Sequence, residues 1–125
     1  MKTKQINLTV EEKSQRSRLN NLYQVGQTPL MLSIERSVCG CDYGATSWTT
    51  QSEAEQMVSL LQLRRQAVLL DLGSGAGWPA LYLAKLTGCD VALVDLPIEG
   101  LRIARGRALM ENESSGCWVA VADAA

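Results

Sequence analysis

The sequence predicts the α/β class, a parallel sheet flanked by helices that forms part of a doubly wound architecture. Three observations carry this. An apolar run over 67–70 leads into Asp71 and then into Gly73, Gly75 and Gly77 at alternate positions. Two more apolar runs, 91–94 and 119–122, each close on an acid, Asp95 and Asp123. The segments between the runs carry apolar residues at helical spacing. Glycine that dense belongs to a tight strand-to-helix turn, where a Cβ would collide with a neighbour or forbid a positive φ.

Taken in order, Thr9 with Glu12 three residues on forms a capping box, so a helix starts near Val10 and carries Leu19, Leu22 and Tyr23. Residues 26–50 hold Gly26, Pro29, Gly40 and Gly44 and read as irregular, a cap or flap. Thr50 with Glu53 is a second capping box, and Ala54, Met57, Val58 and Leu61 follow at helical spacing. That helix ends near Leu63, with Arg64 and Arg65 at its C-terminal dipole end. The run over 67–70 is continuous, as in a parallel strand covered on both faces. A helix follows the glycines, with Pro79 in its first turn and Gly88 just past its end. Pro97 opens the next helix, along which Ile98, Leu101, Ala104 and Ala108 recur. Arg102, Arg105 and Arg107 read as its solvated face.

The β-α-β-α-β order places the strands 3-2-1 in space, because such crossovers are right-handed. A doubly wound sheet continues beyond strand 1, and the ligand crevice lies at that reversal. The second half of such a sheet is expected to be missing here, which leaves strand 1 as a long apolar edge. The boundaries are 1–49 for the N-terminal helix and flap, and 50–125 for a ligand-binding half-domain.

With 125 residues, 46% of them apolar, the chain is one folded unit rather than a disordered tail. Its formal charge of −1 gives no reason to expect nucleic acid. No apolar run nears the roughly 20 residues that cross a bilayer, and the basic N-terminus lacks an apolar signal core. A cytoplasmic location is the expectation. Histidine is absent, and Cys39, Cys41, Cys89 and Cys117 match no zinc spacing. They read as free thiols, with a redox or soft-metal role for Cys39 and Cys41 as the alternative, and no metal site is expected.

The glycine turn suits a nucleotide-like ligand held before a helix. Asp95, 18 residues after Gly77, stands where a carboxylate grips ribose hydroxyls. The segment 70–77, with Asp71, Gly73, Ser74, Gly75 and Gly77, resembles the first motif of class I S-adenosylmethionine-dependent methyltransferases. Residues 94–97 are similar to the acidic end of their second strand, and 122–124 to the segment that meets the adenine. The resemblance covers roughly 50–125 and implies a Rossmann-like fold, in its N-terminal, cofactor-binding half, with S-adenosylmethionine as cofactor.

It further implies that Gly73, Gly75 and Gly77 admit the methionine and ribose part of the ligand. Asp71 would order the turn and attract the cofactor's cationic end, while Asp95 would take two ribose hydroxyls. Leu96 would lie on the adenine, Asp123 would accept from its amino group, and the Ala124 N–H would donate to the ring. Trp48 and Thr49 would cover the methionine end. A sulfonium needs little acid–base help, so no catalytic residue is nominated. The methyl acceptor stays open among small molecule, protein and nucleic acid, with the charge favouring a small molecule.

Half a domain is expected to bind cofactor weakly and to transfer nothing alone. Two other readings stand beside this one. A nicotinamide or flavin dinucleotide domain would want a third glycine at position 78, which is Trp78. A non-catalytic interaction module would keep the fold and use its open edge. That edge also predicts a homo-oligomer.

Overall fold

The structure is a computed structural model that describes residues 7–111 and 116–123. Three helices precede the sheet: α1 (Val10–Gly26), α2 (Pro29–Cys39) and α3 (Gln51–Leu60). Then follow β1 (Val68–Leu72), α4 (Ala80–Thr87), β2 (Asp90–Asp95), α5 (Ile98–Glu111) and β3 (Cys117–Val121).

Both capping boxes form. Thr9 and Thr50 accept from the backbone of Glu12 and Glu53, whose carboxylates reach back to the cap N–H groups. Helix α4 ends on Gly88, whose φ of +75° is the left-handed cap that glycine adopts without strain. Helix α2 corrects the irregular reading of 26–50. Pro29 does not break a helix there; it opens one, at the position where its missing N–H costs nothing. Gly40 closes the same helix at φ +78°.

The strands are parallel and ordered β1-β2-β3, as predicted, with Leu70 opposite Ala92 and Ala92 opposite Trp118. Val91 and Leu93 of the central strand are fully enclosed, under Leu81, Leu83 and Ala84 of α4 and Leu101 and Ala104 of α5. Side chains alternate along a strand, so the covered face holds residues 69, 91, 93, 117 and 119. The other face is open among the described residues. Val68, Leu70, Leu72 and Trp118 there are each more than half exposed. The expectation that β1 is covered on both faces is therefore corrected. Its unbroken apolar run fits two-sided burial, yet α4 and α5 both pack on one side.

Candidate functional site

The turn after β1 hangs on the tip of β2. The Gly73 and Ser74 N–H groups both donate to the Val94 carbonyl, at 2.7 and 3.2 Å. All three glycines take positive φ, +79°, +53° and +92°, which is why other residues do not suit them. What surrounds them differs. A Cβ on Gly73 would meet nothing within 4 Å. One on Gly75 would lie 2.6 Å from the Tyr23 hydroxyl, and one on Gly77 would lie 2.6 Å from Leu81. Gly75 and Gly77 thus admit the chain's own side chains, and Gly73 alone borders open space. Ser74 is buried within the turn, and its hydroxyl finds no partner among the described residues.

Asp95 ends β2 with its carboxylate turned into the turn. Oδ2 accepts from the Gly75 N–H at 2.7 Å, and Oδ1 from the Leu96 N–H at 2.8 Å. Asp71 lies at the end of β1, half-buried. Burial, and then the charge of Asp95, raise its carboxyl above the ordinary value. Neither acid has an ion-pair partner among the described residues. Burial also raises the Tyr23 phenol; a hydrogen bond with Thr46 works against it and the Asp95 charge adds to it. The glycine turn therefore carries a concentrated negative pole beside open space.

Leu96 is half-buried beside Asp95. Asp123 lies just past β3, and the preceding Ala122 N–H donates to the Asp95 carbonyl at 3.1 Å. The fold thus brings this third acid's segment to the same sheet edge. Ala124 falls outside the described residues. Trp48 is 80% exposed and lines a cavity beside α1 and α2, while the Thr49 carbonyl accepts from the Trp78 indole at 2.8 Å. Trp78 is buried between Tyr43 and Tyr82. The position where a dinucleotide fold would want its third glycine is filled by that indole.

Tyr23 and Gly100 belong to the surroundings of the turn, and Arg107 to those of Tyr43, without a sequence signal to mark them. The Tyr23 ring lies between Gly75 and Gly100, and a Cβ on Gly100 would come within 2.9 Å of the Gly75 backbone. Asn20 of α1 accepts from the Glu99 N–H at 3.2 Å, so α1 caps the start of α5. Arg107 corrects the reading of a solvated face. Its guanidinium lies 3.5 Å from the centre of the Tyr43 ring and donates to the Asp42 carbonyl and carboxylate at 2.8 and 2.9 Å. Arg102 does face solvent, paired with Glu99.

The cysteines are free. Cys41 is buried and its thiol donates to Glu35; burial, and then that carboxylate, push it up to about 12, so it stays protonated and unreactive. Among the described residues no group of three or more His, Cys, Asp or Glu is placed to hold a metal ion. No helix among them is long and apolar enough to cross a membrane.

No family model matches the sequence, and no curated protein matches it. Solved structures do. Coclaurine N-methyltransferase bound to N-methylheliamine and SAH superposes with a TM-score of 0.55 at 19% identity, over 93% of this chain and 38% of that one. The MccD protein gives 0.49 at 19% identity, over 57% and 32%. A Methanococcus maripaludis protein described as an S-adenosyl-L-methionine-dependent methyltransferase gives 0.46 at 15%, over 94% and 46%. The first of these likenesses shows the fold: this chain has part of the Rossmann-like architecture of the N-methyltransferase. It spans well under half the length of that protein.

Proposed function

We propose that the chain is the S-adenosylmethionine-binding portion of a methyltransferase, with residues 50–125 as the cofactor-binding unit and 1–49 as its cap. One observation carries this above the fold. Asp71 and Asp95 form an anionic pole with no ion-pair partner among the described residues, next to Gly73, the one glycine of the turn whose Cβ position is open. A ligand bearing a sulfonium and an ammonium suits that pole, and nicotinamide dinucleotides, with their anionic pyrophosphate, do not.

The residues present fit an adenosyl ligand. The Asp95 oxygens keep acceptor capacity beyond the Gly75 and Leu96 N–H groups, enough for two ribose hydroxyls. Leu96 offers an apolar surface for a base. Asp123 and Ala124 are assigned to the adenine edge. Asp71 and the turn through Gly73, Ser74, Gly75 and Gly77 are assigned to the cationic amino-acid end. When bound, the cofactor supplies a methyl group already activated by its sulfonium. The chain's own part is to bind and orient, which supplies most of the acceleration in such a transfer. A small-molecule methyl acceptor is favoured. Calorimetric titration with S-adenosylhomocysteine and with NAD tests the reading. Saturable binding of the first is expected, and binding of NAD alone would end it.

A second reading has its own observation, the open apolar face of Val68, Leu70, Leu72 and Trp118 with β1 at its edge. Soluble sheets rarely leave such an edge bare. In this reading the chain is an interaction module, and copies associate through β1. Light scattering on the purified chain should then show a dimer or larger species. A monomer at high concentration counts against it.

A further inference from the structure

A cavity of about 350 Å³ opens between α1, α2 and residues 44–48. Its walls are Leu22 and Val25 of α1, Met31, Ile34 and Val38 of α2, and Trp48. Each of these six is at least 40% exposed. Apolar surface left open in one concave patch marks a binding site more often than scattered exposure does, and this volume is of the size that holds a small ligand.

Glu35 stands in this wall. Oε2 accepts from the Gly44 N–H at 2.7 Å, and Oε1 from the Tyr43 N–H and the Cys41 thiol, both at 3.2 Å. These bonds fix the carboxylate in place. No cation pairs with it among the described residues. Arg36 is paired with Asp42, and Arg107 with Asp42 and Glu111. A fixed carboxylate in an apolar wall, without a counter-charge, favours a cation and repels an anion.

We propose that this cavity binds a small apolar molecule carrying one protonated amine, its rings against Trp48, Ile34 and Val38 and its ammonium on Glu35. The cavity meets the glycine turn through Thr46, which lines it and hydrogen-bonds to Tyr23, whose ring lies on Gly75. Calling the occupant the methyl acceptor rests on the methyl-transfer reading, whereas its binding does not.

The test titrates 1-naphthylmethylamine, 1-methylnaphthalene and 1-naphthoate into the full chain, without cofactor, by calorimetry. The amine should bind saturably, at least tenfold tighter than either of the others. Glu35→Gln should erase the advantage over methylnaphthalene. Ile34→Trp fills the cavity at a partly exposed position and should abolish binding while the unfolding midpoint stays near the parent's. Naphthoate binding as tightly as the amine overturns the proposal. So does the absence of saturable binding, or unchanged binding in a folded Ile34→Trp chain. A chain that binds the amine but not S-adenosylhomocysteine keeps this site and loses the methyl-transfer reading.

Discussion

Replacing Gly75 by alanine probes how the glycine turn is built. At φ +53° the residue is in the left-handed region, where a Cβ costs roughly 1–2 kcal/mol. That Cβ would also lie 2.6 Å from the Tyr23 hydroxyl oxygen and 3.2 Å from the ring carbon bearing it. Tyr23 has little room to yield, being 5% exposed and wedged against Gly100 on its other side. Overpacking of this kind costs about 1–3 kcal/mol. Gly75→Ala should therefore lose roughly 2–5 kcal/mol. In a Tyr23→Phe background the offending oxygen is gone, and the nearest ring carbon makes a contact that small shifts relieve. There the same substitution should cost only the backbone strain, about 1–2 kcal/mol. Urea unfolding followed by tryptophan fluorescence across the four members of this cycle gives the coupling directly. A coupling of about 1–3 kcal/mol is expected. Additive costs would mean that Tyr23 does not lie on the turn.

Asp95→Ala strands two N–H groups bonded at 2.7 and 2.8 Å; at this half-buried site the loss should be about 2–3 kcal/mol, or roughly 10 °C of thermal midpoint. The same variant should weaken S-adenosylhomocysteine by about 1–3 kcal/mol in calorimetry, and unchanged affinity would move the ribose elsewhere. For Asp71, burial and Asp95 raise the folded-state value above the ordinary 3.8. The native chain then holds more protons than the unfolded one within that window, so stability falls as pH rises through it. Asp71→Asn should therefore be more stable than the parent at neutral pH, with the gap closing as pH falls below the window; denaturant midpoints across pH would show it, and a destabilised variant at neutral pH would contradict it. Arg107→Ala should cost about 2–3 kcal/mol through its lost bonds to Asp42 and its contact with Tyr43, with Arg107→Lys intermediate because it keeps the charge but loses the planar fork. Equal midpoints for all three chains would return Arg107 to solvent.

The β-α-β-α-β order was legible because each of its signals is local. A capping box spans four residues, the left-handed cap at Gly88 follows directly on α4, and an apolar run names its own strand. Helix α2 was hidden because Pro29 and Gly40 carry the same letters whether they break a helix or bound one; only the helical spacing of Met31, Ile34 and Val38 between them distinguishes the cases. The one-sided burial of β1 depends on where α4 and α5 pack, which no stretch of β1 encodes. Asp95 stands out in the sequence by its distance to the glycines, and its carboxylate faces the turn. Tyr23 and Arg107 were not found, because each acts on a partner brought near by the fold alone. A tyrosine on α1 and an arginine on α5 look like any other until Gly75 and Tyr43 are beside them. The sequence also does not tell the three glycines apart, whereas in the fold the Cβ position of Gly73 is open and those of Gly75 and Gly77 are filled by Tyr23 and Leu81.

The most direct measurement is the change in backbone amide resonances of the isotope-labelled chain on adding S-adenosylhomocysteine. Binding as described here should move Gly73, Ser74, Gly75 and Leu96 together, saturably, and leave the amides of α3 in place. Saturable shifts confined to other regions, with those four amides unmoved, would contradict the account.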